Sequence, residues 1–322
     1  MNGNGSATKE LKRLLGEGNV RTGAQALSSY FAEPVTGADL TVVRPQSVDR
    51  LSDVAAFSHE NEIPLFSVKR RTDGGNLNGK KGILVDTSGL NQIKKIDVRN
   101  LTANVYAGVT FEQLSKELAK ENQRLLYPLA GTSPYIVRSY IDRDVLIGEG
   151  GYRHPHISIF HAMMASGEVW VSGSQQLTDE GHADFREDQG PQFSPFFGAS
   201  EDIYGIPYYG IIYTYPNREE RRLIAFGFDE LEPAKDLLYK ASRAEWCFES
   251  FAANDRYLSV ILANGDASAV AGIKKKLSPW TVVFTMEHYR DLVDLWERYI
   301  KEAAKDRGAK NRIVSSGDKL PA

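Results

Sequence analysis

The chain has 322 residues, of which 42% are hydrophobic and 25% are charged, so it is long enough for two modest globular domains. Thirty-nine basic and forty-two acidic residues give a net charge of -3, which favours neither nucleic acid nor a membrane surface as a partner. The single cysteine, Cys247, excludes an internal disulfide and any cysteine-ligated metal centre held by this chain alone. Because the start of the chain is polar and no run of about eighteen apolar residues occurs, the sequence predicts a cytoplasmic protein without direct membrane insertion.

The first predicted elements form a βαβ unit behind a lead segment. Residues 1–36 predict a glycine- and alanine-rich segment, with one short helical pattern of leucines, that lies across the surface of the next unit. Residues 40–43 and 65–68 predict two strands on either side of a helix that Ser47 caps. Strands connected in this way are expected to be parallel.

The middle of the chain predicts a second sheet. The next elements are, in chain order, a strand at 83–86, a hairpin at 93–97 and 102–106, a helix that Thr110 caps, and strands at 157–163, 168–172 and 208–215. The last three strands favour an antiparallel sheet, with a polar insertion at 173–194. Between Pro128 and Gly151 the composition indicates a long ordered loop.

After Pro216 the pattern changes to β-α-β-β-α-β. The strands are predicted at 223–228, 246–251, 257–262 and 281–284, and the helices at 230–242 and 266–277. This order is typical of the ferredoxin-like arrangement. An amphipathic helix at 287–305 and a polar, disordered tail at 306–322 are expected to follow.

Several short motifs occur in a recognisable order. They are Val43-Arg44-Pro45-Gln46-Ser47-Val48, Ile63-Pro64, Gly82-Ile83-Leu84-Val85-Asp86, Gly108-Val109-Thr110, Ser200-Glu201 and Gly205-Ile206. In this order they resemble the FAD-binding domain of the vanillyl-alcohol oxidase and para-cresol methylhydroxylase superfamily, in its glycolate oxidase and D-lactate dehydrogenase branch.

The resemblance implies an α+β fold with a two-lobed FAD-binding domain of the para-cresol methylhydroxylase type and a ferredoxin-like βαββαβ cap. The expected divisions are a lead segment at 1–36, the FAD-binding-type domain at 37–217, the cap at 218–305 and the tail at 306–322. FAD is the implied cofactor.

The pyrophosphate loop departs from the family pattern. Where the family has a run of glycines, this chain has Lys69-Arg70-Arg71-Thr72-Asp73-Gly74-Gly75. Glycines in such a loop let successive N–H groups approach the phosphates. One interpretation is that Arg70 and Arg71 neutralise the pyrophosphate while Thr72, Gly74 and Gly75 supply N–H groups. The alternative is that the basic side chains fill or shield an empty cleft.

A second departure follows in the segment where the family has a G-G-N run close to the flavin. Here Gly131-Thr132-Ser133 is followed by Ile136-Val137-Arg138-Ser139. Gly205 and Ile206 match the strand start where the family's backbone meets the adenine end. The resemblance thus predicts a cofactor-binding set of Lys69, Arg70, Arg71, Thr72, Asp73, Gly74, Gly75, Ser133, Arg138, Ser139, Gly205 and Ile206.

The sequence predicts neither a catalytic residue nor a metal site. His154, His156 and His161 are close in sequence, and a metal or acid–base site is one interpretation of this cluster. Hydrogen-bonded or solvated histidines are the simpler interpretation. The histidine-rich G-D-G-N-x-H segment of the D-lactate dehydrogenase-like members is missing.

Two hypotheses about function follow from the resemblance. The first is an FAD-dependent dehydrogenase subunit that oxidises a 2-hydroxy acid or related alcohol and passes electrons to a larger flavoprotein or an iron–sulfur subunit. The second is a cofactor-free paralogue that acts as a structural subunit of a flavoprotein complex. A groove recruited for another anionic ligand, held by Arg70, Arg71 and Arg138, is a third possibility.

Overall fold

The computed structural model describes residues 3–28, 30–31, 35–68, 77–126, 133–142, 157–173, 196–197, 202–263, 266–310 and 312–316. The chain is a mixed α+β protein. Its contacts divide it into two compact units, one of which ends at Pro216 while the other continues from Asn217.

The first sheet combines parallel and antiparallel strands. Its strands are, in spatial order, β1 (Val20–Thr22), β2 (Asp39–Val43), β4 (Lys81–Val85) and β3 (Leu65–Ser67). β2 and β3 each pair with β4 in parallel, and β1 pairs with β2 antiparallel. The helix α3 (Val48–Glu60) connects β2 to β3, and the Ser47 side chain caps it by accepting a hydrogen bond from Arg50 N. The predicted βαβ unit is therefore confirmed.

The start of the chain is part of this core, which corrects the expectation of a segment lying on the surface. It forms α1 (Gly3–Leu15), β1 and α2 (Ala24–Ser28). Leu11, Leu15 and Val20 are buried in a cluster with residues of both β2 and β4. The short β1 was missed because three residues carry too little pattern, whereas the tertiary structure pairs them with β2.

The second sheet is antiparallel throughout. Its strands are, in spatial order, β5 (Ile93–Asp97), β6 (Thr102–Tyr106), β10 (Ile206–Tyr213), β8 (Ile157–Met163) and β9 (Val169–Val171). The predicted hairpin and the predicted antiparallel sheet are both confirmed. The helix α4 (Phe111–Lys120) follows β6, and the Thr110 side chain caps it by accepting from Gln113 N. β7 (Gln123–Arg124) pairs with β11 (Tyr215–Pro216) in a small separate sheet.

A short helix replaces part of the predicted loop between Pro128 and Gly151. α5 (Ile136–Ile141) is buried along its whole length and contacts β8 and β10. The Tyr140 hydroxyl donates a hydrogen bond to the Leu126 carbonyl. The sequence did not predict this helix, because glycines and prolines surround it. Packing rather than local propensity stabilises so short a helix.

The second unit contains an antiparallel sheet covered by helices. Its elements are β12 (Glu220–Phe228), α6 (Leu231–Arg243), β13 (Glu249–Asn254), α7 (Asp255–Ala263), α8 (Val270–Lys274), β14 (Trp280–His288), α9 (Arg290–Asp306) and β15 (Arg312–Ser316). The spatial order of the strands is β13-β14-β12-β15. If α7 and α8 are taken as an insertion, the remaining order is β-α-β-β-α-β, which is compatible with a ferredoxin-like arrangement.

Two predictions in this unit are wrong. Residues 257–262, predicted as a strand, form the middle of α7, and the helix begins where the Asn254 side chain accepts a hydrogen bond from Tyr257 N. A short apolar run does not distinguish a strand from a buried helix, and the asparagine cap was the signal that was missed. Residues 312–316, within the tail expected to be disordered, form β15, which pairs with β12.

Candidate functional site

The carboxyl ends of the parallel strands lie at one edge of the first sheet. β2 ends just before Arg44, β3 ends at Ser67, and β4 ends just before Asp86. In open sheets of this kind, ligands bind outside the carboxyl ends of parallel strands. The predicted pyrophosphate loop leaves β3 at this edge. Its residues, Lys69, Arg70, Arg71, Thr72, Asp73, Gly74 and Gly75, lie outside the described residues.

Three segments carry the predicted cofactor contacts, and we call them the cofactor segments: residues 69–75, 133–139 and 205–206. Hydrogen bonds to Asp202 connect residues that lie within or close to these segments. Ser67, two residues before the first segment, donates its hydroxyl to Asp202 Oδ2. Arg138, in the second segment, donates from Nη1 to Asp202 Oδ1 at 2.5 Å. Asp202 itself lies three residues before Gly205.

Arg138 is buried and electrically compensated. The Arg138 side chain is 9% exposed. Its guanidinium also donates to both carboxylate oxygens of Asp142, four residues further along the chain, at 2.6 and 3.0 Å. Burial would lower the pKa of Arg138, but the nearby carboxylates of Asp202 and Asp142 outweigh this effect and raise it above the ordinary value. Arg138 was predicted to bind the cofactor, but its positive charge already compensates these two carboxylates.

A second polar cluster surrounds Asp86 at the end of β4. The Tyr30 hydroxyl donates to Asp86 Oδ2 at 2.8 Å, and Ser88 N donates to Oδ1 at 2.9 Å. Arg44 Nε lies 3.9 Å from Oδ2. Burial, and then the Asp86 charge, raise the pKa of both Tyr30 and Tyr135. This buried carboxylate links the lead segment to the ends of β2 and β4.

The two serines of the second cofactor segment have different environments. The Ser133 hydroxyl accepts a hydrogen bond from Tyr135 N at 3.2 Å and thus stabilises the turn before α5. The Ser139 hydroxyl is buried and has no hydrogen-bond partner within the described part of the chain. A buried hydroxyl without a partner is destabilising by about 1–3 kcal/mol, so this atom would gain from a bound polar group.

Gly205 and Ile206 pack within the protein. A Cβ atom at Gly205, whose φ is 144°, would lie 2.8 Å from the Met163 carbonyl oxygen, so a larger residue would disturb the pairing of β10 with β8. The Ile206 side chain is buried in the core that both sheets of the first unit share. Only the backbone of this segment could contact a ligand. Their role in cofactor binding stays a prediction.

The histidines do not form a metal site in the described part of the chain. His154 and His156 lie outside the described residues. The His161 ring packs against Tyr209 at 4.6 Å between centroids, and its Nδ1 lies 3.4 Å from the Tyr208 hydroxyl. No group of three or more potential metal ligands occurs among the described residues.

Sequence reasoning missed Asp202 and Asp142, the carboxylates that hold Arg138. Asp202 has a left-handed backbone with φ of 64°. It directly follows Ser200-Glu201, and in the F-x-G-S-E-G-x-x-G-I pattern of the family that the chain resembles, this position is a glycine. Aspartate is one of the few residues other than glycine that adopts this conformation readily. Two features of the sequence could have indicated the Arg138–Asp202 pair. An aspartate occupies a glycine position of the family pattern, and a long basic residue lies in the segment that corresponds to the G-G-N run.

Comparison with known proteins supports the resemblance. Residues 40–170 match the family model of the FAD binding domain. The glycolate oxidase subunit GlcD of Bacillus subtilis is 24% identical over 202 residues, which are 60% of this chain and 40% of that protein. The chain therefore spans less than half the length of this relative. Across the described residues, no helix is both long and apolar enough to span a membrane.

Solved structures show the fold. p-Cresol methylhydroxylase with substrate bound has a TM-score of 0.76 at 18% identity, with 98% of this chain and 66% of that chain covered. The 4-ethylphenol oxidase of Gulosibacter chungangensis, in its isoeugenol complex, has a TM-score of 0.76 at 16% identity, with 96% and 64% covered. An alkyldihydroxyacetonephosphate synthase has a TM-score of 0.71 at 13% identity, with 95% and 60% covered. This chain therefore carries an FAD binding domain at residues 40–170, is a homologue of the glycolate oxidase subunit, and has the fold of the para-cresol methylhydroxylase type of flavoprotein.

Proposed function

We propose that this chain is a subunit of an FAD-dependent oxidoreductase that oxidises a 2-hydroxy acid or a related alcohol. The observation that carries the proposal is the match of residues 40–170 to the FAD binding domain. The matched region contains the parallel strands β2, β3 and β4, whose carboxyl edge is the expected position for a nucleotide. The similarity to a glycolate oxidase subunit supports the substrate class.

The described residues fit a bound flavin nucleotide in two respects. The Asp202 network brings the neighbourhoods of all three cofactor segments together, and the Ser139 hydroxyl is a buried polar atom that lacks a partner in the described region. Because two carboxylates compensate Arg138, neutralisation of the pyrophosphate would fall to Lys69, Arg70 and Arg71. The bound flavin would supply the redox chemistry, and the chain would bind and orient it.

The proposed electron acceptor is another protein, either a larger flavoprotein or an iron–sulfur subunit. The chain has one cysteine, so it does not itself supply the thiolate ligands of such a cluster. Nucleic acid is not a proposed partner, and we place the protein in the cytoplasm as part of this proposal.

A second candidate function is that of a cofactor-free structural subunit. The observation in its favour is Arg138, a long side chain in the segment where the family pattern has glycines close to the flavin. Its buried ion pairs with Asp142 and Asp202 support this candidate, because they use the Arg138 side chain for interactions within the protein.

A visible absorption spectrum and an FAD titration separate the two candidates. The protein is purified from its native host, any bound chromophore is released with acid and identified, and the apoprotein is titrated with FAD. A flavin spectrum or saturable FAD binding is expected, followed by reduction of the flavin when 2-hydroxy acids are added. A colourless protein that does not bind FAD would overturn the first proposal and favour the structural subunit.

A further inference from the structure

A cleft with a volume of about 420 Å³ opens on the helical layer of the second unit. Its residues come from the second half of α6 and from the end of α9, two helices that pack against each other. We call it the basic cleft. Its volume is in the range of small-molecule sites, which is about 300–1,000 Å³. The lining consists of three basic residues, one acidic residue, one tyrosine and one alanine: Lys240, Arg243, Arg307, Asp236, Tyr239 and Ala244.

Two of the three cations of the basic cleft have no carboxylate partner. Lys240 and Arg243 form no ion pair within the part of the chain that the structure describes. Lys240 Nζ lies 5.7 Å from the centre of the Trp246 ring. The Arg243 guanidinium lies 5.7 Å from the centre of the Tyr239 ring and donates to its hydroxyl at 3.1 Å. The dipole of α6 favours cations in its last turn, but it leaves both charges without a neutralising side chain.

The third cation, Arg307, is also incompletely satisfied. Its side chain is 22% exposed, and its Nη1 donates to the Ala303 carbonyl at 3.0 Å. Its Nη2 lies 3.9 Å from Asp236 Oδ2, which is too long for a hydrogen bond. Its Nε is buried and has no hydrogen-bond partner among the described residues. The carboxylate of the basic cleft therefore lies near Arg307 without a hydrogen bond to its guanidinium.

The charge of the basic cleft is complementary to a phosphate monoester. Its three cations and one carboxylate give a formal net charge of +2. A phosphate monoester carries a charge of about -1.5 to -2 at neutral pH and has three acceptor oxygens, whereas a single carboxylate carries half of that charge or little more. Guanidinium groups such as those of Arg243 and Arg307 match phosphate oxygens with pairs of parallel N–H donors.

We propose that the basic cleft binds the phosphate group of a small phosphorylated ligand. Arg243 and Arg307 donate to the phosphate oxygens, and Lys240 adds a point charge. Asp236 opposes binding, because its carboxylate repels the phosphate. All of the lining residues belong to the second unit, outside the matched FAD binding domain at residues 40–170. The inference therefore does not depend on the proposed FAD binding.

The test titrates the full-length protein with two phosphate monoesters, glycerol 3-phosphate and AMP, and separately with inorganic phosphate. Isothermal titration calorimetry at constant ionic strength measures the Kd. Arg243→Gln removes one cation of the basic cleft at an exposed position. Lys235→Gln is the matched control, because it makes the same charge change on the same helix outside the cleft, at a lysine that pairs with Glu232 at 2.5 Å. Asp236→Asn removes the opposing carboxylate and keeps the side-chain size.

We expect the wild type to bind at least one monoester saturably. Arg243→Gln should raise its Kd about tenfold or more, the effect of losing one hydrogen bond between charged groups. Lys235→Gln should stay within about twofold of the wild type, and Asp236→Asn should lower the Kd. Thermal unfolding establishes that each variant is folded, and Lys240→Gln, with an expected loss in the same direction, replaces Arg243→Gln if that variant does not fold.

Three results would overturn the inference. The first is a wild type that binds neither monoester, and the second is binding of inorganic phosphate alone. The third is an equal loss of affinity in Lys235→Gln and in the variant of the basic cleft, which would show that the ligand responds only to the overall charge of the protein. The FAD titration of the same wild-type protein is a separate measurement, so each of these results leaves the proposed function intact.

Discussion

The guanidinium of Arg138 lies 2.5 Å from Asp202 Oδ1 and binds a carboxylate that follows it by 64 residues in the chain. Both side chains are almost completely buried, at 9% and 4% exposure. A buried cation requires such compensation, because an unpaired charge in the interior is strongly destabilising. The pair therefore stabilises the structure around the site and also balances the charge there.

Replacing Arg138 by methionine is expected to destabilise the first unit by about 3–5 kcal/mol, because it leaves the carboxylates of Asp142 and Asp202 buried without this cation. Urea unfolding of the variant and the wild type measures the difference in the free energy of unfolding. Arg50→Met is the control, since Arg50 and Asp53 form an exposed pair 3.0 Å apart and such pairs contribute about 1 kcal/mol or less. Equal losses in the two variants would contradict the burial argument.

Tyr30→Phe is expected to lower the free energy of unfolding by about 1.5–3 kcal/mol, the range for a hydrogen bond to a charged group. The hydroxyl it removes donates to Asp86 Oδ2 at 2.8 Å. Chemical denaturation measures the change, and Tyr257→Phe, at a side chain that is 58% exposed, is the matched control. A stability equal to that of the wild type would show that the interaction adds nothing to the free energy of unfolding.

Gly89→Ala is expected to lower the melting temperature because the backbone has no room for a side chain there. A Cβ atom at Gly89 would lie 2.3 Å from the Pro45 carbonyl oxygen, at the same edge of the first sheet as Asp86. Relief of such a clash requires a backbone shift that costs about 1–3 kcal/mol or more. Gly18→Ala is the control, since no heavy atom lies within 4 Å of a Cβ at Gly18. Equal melting temperatures for both variants would contradict the steric argument.

Tyr208 is expected to make stability fall at alkaline pH. Burial, with the nearby Tyr106 and Tyr209, raises the pKa of Tyr208 from 10.0 to about 12. Between these values the unfolded chain loses the phenolic proton while the folded protein keeps it, so stability is complete below the lower value and decreases as the pH rises toward the upper one. Tyr208→Phe should reduce this decrease when denaturant midpoints are compared at about pH 9 and about pH 11. Tyr257→Phe, the exposed control, should retain the full decrease.

Local patterns in the sequence predicted many of the elements correctly. Ser47 and Thr110 cap the helices that they were expected to cap, and the predicted βαβ unit and hairpin are present. The errors occur where a pattern is short or ambiguous. Residues 257–262 form a helix, and β15 lies in the expected tail.

The candidate site was predicted less well than the fold. The sequence identified Arg138 as a residue of interest, but it did not reveal the carboxylates that compensate its charge. Asp142 is close in sequence, whereas Asp202 meets Arg138 only because α5 packs beside the turn that precedes β10. The orphaned hydroxyl of Ser139 is likewise a property of burial, which no single-residue pattern shows.

By itself the sequence identified the FAD binding domain, which the family model matches at residues 40–170, and the position of the altered loop at Lys69 to Gly75, because both depend on the order of short motifs along the chain. Only the tertiary structure decided which charges meet. Arg138 could serve equally well as an anion ligand or as a buried structural cation, and the choice depends on the partners that packing brings within hydrogen-bond distance. Contacts between residues far apart in sequence are set by the packing of whole elements, so the network around Asp202 is a property of the fold.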